Sequence, residues 1–218
     1  MSPRPFHHGN LREVLLERAE AQLRTSGVDS LSLRDLARQA GVSHGAPRSH
    51  FIDRQTLLDA LAIRGFGRLS GDIRSALQSE ARFEERFRQV ARAYVAFAVD
   101  DAALMELMFA VKLDKGVGPV QDAAVDLFQV LDEALEAEQD GSPTAAEAQE
   151  RFKLLFAATM QGIATLMAAH RITAHQADRL VDDAVEELMG SALGRQVLGQ
   201  ARAPRGAVAD RGATEARP

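Results

Sequence analysis

Apolar side chains recur every three to four positions along most of the chain, which is the spacing that places them on one face of a helix. No convincing run of alternating apolar and polar residues indicates a strand. The first helix is predicted to begin at Asn10, with Glu13 completing a capping box, and to end at Ser26-Gly27. Further helices are predicted over residues 32–40, 43–51, from 53 to beyond 73, and near 81–98, 101–113, 118–138, 144–169 and 173–193. The predicted fold class is therefore all-α.

Two of these helices are short and meet at a glycine. Ser32 is a suitable N-cap for the first, Gly41 is a natural left-handed stop, and Ser43 offers the N-cap of the second. This pattern predicts a helix-turn-helix, followed by a long helix that Asp53 caps. The apolar stripe of that long helix consists of Leu57, Leu58, Leu61, Phe66, Leu69 and Ile73. The chain is accordingly divided into a three-helix head (1–53), a helical body (54–198) and a tail (199–218). "DGSP" at 140–143 is the clearest break within the body, and the tail lacks periodicity and is predicted to be disordered.

The segment "AGVSHGAPRSHF", residues 40–51, has an unusual composition for a helix. Gly45 and Ala46 carry almost no side chain, so the backbone there can approach a DNA duplex closely. Pro47 is tolerated in a first helical turn, although it disfavours the α conformation of Ala46 and can shift the start by two residues. Arg48, Ser49 and His50 then supply donors for phosphate oxygens or base acceptors. The alternative interpretation is a polar surface loop, since glycine and proline commonly mark loops.

Charge is distributed unevenly around a net value of −5. Residues 1–66 hold nine basic and seven acidic residues and four of the six histidines, whereas residues 67–200 hold 13 basic and 22 acidic residues. A mildly cationic head on an acidic body is compatible with a head that meets phosphates. There is no cysteine, no apolar leader resembling a signal peptide and no apolar run of about 20 residues, so we expect a cytoplasmic protein without a membrane span.

Residues 31–61, "LSLRDLARQAGVSHGAPRSHFIDRQTLLDAL", resemble the DNA-binding head of the tetracycline-repressor (TetR) family. The resemblance implies a homodimeric transcription factor, usually a repressor, whose body binds a small molecule and thereby releases operator DNA. One residue departs from the family pattern, because Arg48 stands where family members commonly have a phosphate-contacting Tyr. By resemblance, the side chains that contact DNA are Ser32, Ser43, Arg54 and His50 at phosphates, and His44, Gly45, Arg48 and Ser49 nearest the bases. Arg4, His7 and His8 form a further candidate arm on the duplex, or an inert tail.

The helix over 144–169 is predicted to contact a second subunit. Its segment "LLFAATMQGIATLMAA", residues 154–169, is apolar nearly all round, and such a helix must be covered on two sides. Two helices from each subunit would then form a four-helix bundle, as the resemblance also implies. The last helix joins this seam through Leu180, Val181, Ala184, Leu188 and Leu193. Residues 160–166, "MQGIATL", resemble a degenerate "WHG" motif of one TetR subfamily, with Met160 and Gln161 in place of Trp and His.

Soft apolar side chains in the middle helices suggest a cavity for a largely apolar effector. The candidates are Phe97, Met105, Met108, Phe109, Phe128, Phe156, Met160 and Gln161, and Tyr94 and Thr159 could add polar contacts. The alternative is that these residues are ordinary core. No cofactor is expected, although His170 and His175 leave open a metal- or haem-responsive regulator.

An enzyme is not expected. Acidic pairs such as Asp100-Asp101 and Asp182-Asp183 point in different directions on a helix, so they are interpreted as solvated helix faces. No phosphate-binding glycine loop, nucleophile elbow or metal-binding histidine helix occurs. A third possibility, a helical protein-interaction module, differs from a DNA-binding regulator in salt dependence, because DNA binding weakens steeply as salt is added.

Overall fold

The structure, a computed structural model, describes residues 11–110, 118–136 and 145–198. All regular elements in these ranges are helical, which confirms the predicted class. The α-helices are α1 (Leu11–Ser26), α2 (Leu33–Gln39), α3 (Arg54–Leu77), α4 (Phe83–Asp100), α5 (Ala102–Ala110), α6 (Pro119–Glu136), α7 (Ala145–Ala168), α8 (Ala174–Gly190) and α9 (Ala192–Val197). Short 3₁₀ turns span Val28–Ser30 and Ala46–Ser49. The predicted cap at Asn10, the arm with Arg4, His7 and His8, the break at 140–143 and the tail lie outside the described residues.

The ends of α1 and α2 form as the sequence predicts. Gly27 and Gly41 adopt φ values of 73° and 70°, in the left-handed region that glycine enters without strain, and they end α1 and α2. The Ser32 hydroxyl accepts a hydrogen bond from the Asp35 amide and caps α2. The head closes around Leu15, Leu23, Leu36 and Phe51, all essentially inaccessible to solvent.

Helix α3 connects the head to the body. Asp53 caps it by accepting a hydrogen bond from the Thr56 amide at 2.8 Å, and every residue of its predicted apolar stripe is buried. The helix packs on α4, α5 and α6. At Gly65 it lies so close to α5 that an added Cβ would come within 2.5 Å of Met108 Sδ.

The C-terminal helices differ from prediction at one point. The last helix was predicted to continue to residue 193, but α8 ends at Gly190 and the Ser191 hydroxyl caps a separate helix, α9. The close packing of α9 against the end of α8 requires glycine at position 194, because a Cβ on Gly194 would lie 2.2 Å from the Leu188 carbonyl oxygen. Of the residues predicted to join the subunit seam, Val181 and Leu188 are buried within the subunit, whereas Leu180 is exposed.

One acidic pair does not lie on a solvated face as predicted. Asp100 is exposed, but Asp101, at the corner between α4 and α5, is only 8% exposed and is paired with Arg24 and Arg68. Burial of a carboxylate requires such partners, and they come from distant parts of the chain.

None of the helices in the described ranges is long and apolar enough to cross a bilayer.

Candidate nucleic-acid interface and body cleft

The segment that follows α2 forms a short recognition turn, Ala46–Ser49. It begins two residues later than its predicted start, because its N-cap is Gly45 and not Ser43. Pro47 occupies the first turn and has no N–H to contribute, so the turn is closed by the Arg48 amide on the Gly45 carbonyl at 3.1 Å. Pro47 is buried, and the Phe51 amide donates to its carbonyl at 2.8 Å. The turn is therefore anchored to the head core by its apolar residues.

The polar side chains of this segment all face solvent. Ser43, His44, Arg48, Ser49 and His50 are exposed, as is the backbone at Gly45. The Ser49 hydroxyl donates to the Ala46 carbonyl at 2.8 Å, which leaves its lone pairs outward. An open groove of about 730 Å³ runs beside the turn, and its walls are Leu33, Arg34, His44, Gly45, Arg48, Ile52, Asp53 and Arg54.

Arg34 is a candidate contact that sequence reasoning missed. It is exposed on the first turn of α2 and lines the same groove as Arg48. Neither guanidinium forms an ion pair with any of the described residues, so both are available to phosphate oxygens. The signal that could have found Arg34 is its position two residues after the Ser32 cap, in the first turn of a predicted helix.

Arg54 has a different environment from the other predicted contacts. Its guanidinium donates to the carbonyl oxygens of Val28 at 2.6 Å and Leu31 at 3.1 Å. These bonds tie the start of α3 to the connection between α1 and α2. Arg54 therefore holds the head together, and it also lies on the groove wall where a phosphate could contact its remaining donors.

Two acceptors near the groove are already used within the head. Ser32 is half-buried and accepts the Asp35 amide as a helix cap. The carboxylate of Asp53 accepts hydrogen bonds from the backbone amide and the hydroxyl of Thr56, and these bonds lower the pKa of Asp53. The acid thus serves the helix terminus, where negative charge is favourable.

The body contains an open cleft of about 880 Å³ between α4, α5 and α7. Its walls are mostly small or apolar and consist of Tyr94, Ala98, Ala102, Met105, Glu106, Phe109, Leu154, Ala157, Ala158, Gln161, Ala164, Thr165, Ala168 and Ala169. The Tyr94 hydroxyl donates to Gln161 Oε1 at 2.9 Å across the cleft. Tyr94 is buried, and this burial raises its pKa to about 12.

The predicted effector residues are divided between this cleft and the core. Met105, Phe109 and Gln161 line the cleft, as does Tyr94. Phe97, Met108, Phe156 and Met160 are buried elsewhere, and Phe128 is half-buried on α6. Phe156, for example, packs edge-on against Phe87 with ring centroids 5.0 Å apart. The set therefore does not converge on one cavity.

His170 and His175, the candidate ligands of a metal- or haem-responsive regulator, lie at the end of α7 and the start of α8. His170 terminates α7 in a left-handed conformation with φ of 53°, and both side chains are exposed. Within the described ranges, no three side chains of His, Cys, Asp or Glu are grouped as a metal ion requires.

Comparison with known families finds two matches that together follow the head and body. A family model described as "Bacterial regulatory proteins, tetR family" matches residues 15–61. A second, described as "Tetracyclin repressor-like, C-terminal domain", matches residues 87–191. No curated protein sequence matches significantly.

Solved structures similar to this chain have the same architecture. A protein of unknown function from Rhodococcus sp. RHA1 is 40% identical, with a TM-score of 0.72, over 85% of this chain and 97% of that one. A bacterial regulatory protein of the tetR family from Rhodococcus RHA1 is 17% identical, with a TM-score of 0.61, over 83% and 97%. A putative TetR-family transcriptional regulator from Mesorhizobium loti is 21% identical, with a TM-score of 0.58, over 85% and 98%. The last two likenesses concern the fold alone.

Proposed function

Because the chain belongs to the TetR family of DNA-binding transcriptional regulators, which are not enzymes, we propose that it acts as a homodimeric repressor whose operator affinity falls when a small molecule occupies the body cleft. The observation that carries the proposal is the recognition turn, where Arg48 is exposed and pairs with none of the described residues, on a segment that Pro47 and Phe51 fix to the core. A rigid, cationic and protruding segment is what a major groove accommodates.

On DNA, the residues of the turn divide into two groups. His44, Gly45, Arg48 and Ser49 face the base edges, with Arg48 suited to a guanine or to a phosphate. Ser32, Ser43, His50 and Arg54 contact the backbone, and Arg34 adds a further phosphate contact. Phosphate contacts fix the position of the protein, and the base contacts then determine the sequence that it prefers.

A second copy of the chain is proposed to cover α7. One face of this helix packs inward through Phe152, Phe156 and Met160, while Leu155 and Leu166 on the other side are exposed. Leu180 on α8 is exposed as well. Burial of such a face in a twofold seam removes apolar surface from water and sets two recognition turns about 34–36 Å apart, one helical repeat of DNA.

The cleft supports a largely apolar effector with at least one hydrogen-bonding group. Its alanine-rich walls leave space, Met105 adapts to irregular shapes, and the Tyr94–Gln161 pair offers a donor and an acceptor. An effector that prefers a different body shape lowers operator affinity by the difference in its affinity for the two shapes, typically a 5–150-fold effect.

The first experiment tests DNA binding by Arg48. Duplexes from the region beside the protein's own gene are footprinted, and the protected duplex is titrated by fluorescence anisotropy. Arg48→Ala is expected to weaken binding about 5–150-fold, equivalent to the roughly 1–3 kcal/mol of a good base contact. Arg74→Ala removes an exposed arginine at the far end of α3 and serves as the matched control.

Salt and metabolites separate the remaining possibilities. For the wild type, the logarithm of the operator affinity should fall linearly with the logarithm of the salt concentration. The mass of the dimer should be the same in Arg48→Ala as in the wild type. A partner captured without this salt dependence would instead indicate a protein-interaction module. Extracted metabolites are expected to release the operator from the wild type, and failure of every fraction would contradict the effector proposal.

A further inference from the structure

Four charged side chains form a closed ring where the head meets the body. Arg24 of α1 donates from Nε to Asp101 Oδ1 at 2.5 Å and from Nη2 to Glu20 Oε1 at 2.8 Å. Arg68 of α3 bonds the same two carboxylates, through Nη1 to Glu20 and Nη2 to Asp101. We call Glu20, Arg24, Arg68 and Asp101 the head–body latch. Two acids and two bases thus alternate, and each carboxylate is shared by both guanidiniums.

Burial makes the latch sensitive to loss of any member. Glu20 is 5% exposed and Asp101 is 8% exposed, although both are charged. A buried carboxylate deprived of its partner is strongly unfavourable, so an arrangement of head and body that separates these charges is disfavoured. Arg64 extends the ring by contacting Glu20 and by bonding Glu13 at 2.5 Å.

The latch joins the DNA-binding head to a wall of the cleft. Glu20 and Arg24 belong to the head, whereas Asp101 forms the corner between α4 and α5. Its backbone is fixed on both sides, since its amide donates to Phe97 and its carbonyl accepts from Met105 at 2.8 Å. Met105 lines the cleft, and so do Ala98 and Ala102 on either side of the corner. The guanidinium of Arg68 also lies 5.2 Å from the centre of the Phe97 ring.

We propose that Asp101 is a positioning residue through which the α4–α5 corner of the cleft fixes the orientation of the DNA-binding head. Displacement of the corner moves the carboxylate that Arg24 and Arg68 share, and the head must follow or lose a buried ion pair. The inference rests on the proposed function for its link to the operator, but the orientation of the head can be measured without DNA.

The test measures the head–body distance directly. The chain has no cysteine, so Ala21→Cys on α1 and Gln129→Cys on α6, both exposed, accept spin labels at these two sites alone. Doubly labelled chains are diluted with excess unlabelled chain, so that electron–electron dipolar spectroscopy reports the distance within one subunit. Asp101→Asn is expected to broaden or shift this distribution and to weaken binding of the footprinted duplex about fivefold or more.

Two further variants make the outcome specific. Asp100→Asn removes an equal charge from the adjacent exposed position and should leave both measurements unchanged. Asp101→Glu retains the charge and should restore most of the narrow distribution. An unchanged distribution in Asp101→Asn, or equal broadening in Asp100→Asn, would overturn the proposal. If the wild type binds no duplex, the proposed function fails, and the distance measurement still decides whether Asp101 orients the head.

Discussion

The Tyr94 hydroxyl lies 2.9 Å from Gln161 Oε1 and thereby joins α4 to α7 across the body cleft. Tyr94 is buried in its own subunit, whereas Gln161 is exposed at the cleft surface. The pair is therefore a polar point on walls that are otherwise largely apolar. A ligand that enters the cleft can replace one partner without leaving the other unsatisfied only if it carries a matching donor or acceptor.

Tyr94 is predicted to lose its proton at a higher pH than an ordinary tyrosine does. Burial disfavours the tyrosinate and raises its pKa from 10.0 to about 12. The unfolded chain loses this proton near pH 10 and the folded chain near pH 12. The free energy of unfolding should therefore fall as pH rises between these values, by about 2–3 kcal/mol from this group.

The measurement is direct, because the chain has one tyrosine and no tryptophan. The tyrosinate absorbance then reports Tyr94 alone, with a midpoint near 12 in the native protein and near 10 in denaturant. Tyr94→Phe should lack this part of the alkaline loss of stability. A native midpoint near 10 would mean that the hydroxyl is not buried.

Gly65 is predicted to be intolerant of a side chain, in contrast to its neighbour on the same helix. A Cβ at Gly65 would lie 2.5 Å from Met108 Sδ and 3.1 Å from Leu104 Cγ, so Gly65→Ala should destabilise by about 1–3 kcal/mol. Gly67 has no atom within 4 Å of an added Cβ, so Gly67→Ala should stabilise α3 by up to about 1 kcal/mol. Denaturant unfolding of both variants checks the difference, and similar effects would contradict the close approach of α3 and α5.

The head could be predicted from the sequence because its signals are local. Ser32, Gly41 and Asp53 each determine a helix end through bonds or dihedral angles within a few residues. The recognition turn is the exception. Its composition indicates an exposed segment, but the N-cap is Gly45 and not Ser43, because Pro47 restricts the backbone of Ala46.

The body could be predicted less completely, because its pairings are distant in the chain. Arg24 and Asp101 are 77 positions apart, and no local pattern distinguishes Asp101 from its solvated neighbour Asp100. Periodicity likewise identifies an apolar face but not whether that face meets core or cavity. Met105 and Met108 are one helical turn apart, yet Met105 lines the cleft and Met108 packs on Gly65.

The cap of α3 is predicted to fail at acid pH. Hydrogen bonds from Thr56 lower the pKa of Asp53 below the ordinary aspartate value of 3.8. The stabilisation is therefore complete above the pKa of the unfolded chain and is lost as pH falls through the lower, folded pKa. Asp53→Asn keeps an acceptor for the cap but cannot titrate, so its melting temperature should depend less steeply on pH below 4 than that of the wild type. Thermal melts of both proteins between pH 2 and 5 check this. If the melting temperatures of the two proteins depend equally on pH, the acid sensitivity belongs to other groups.

Arg34 and Arg54 line the same groove but are predicted to act in different ways. Arg54 satisfies the carbonyls of Val28 and Leu31, so Arg54→Ala should lower the melting temperature, by the equivalent of about 1 kcal/mol for a partly solvated pair of hydrogen bonds. Arg34 has no such partners among the described residues, so Arg34→Ala should leave the melting temperature unchanged.

The salt dependence of operator binding separates the two roles further. Loss of a phosphate contact weakens binding at all sequences and reduces the slope of log affinity against log salt by about 1. Arg34→Ala should show both effects. Arg54→Lys keeps the charge but cannot bond both carbonyls with the planar fork of arginine, so it should retain the salt slope while losing stability. If Arg54→Lys is as stable as the wild type, the bonds of Arg54 to Val28 and Leu31 do not stabilise the head. If Arg34→Ala has an unchanged slope, Arg34 does not contact the duplex.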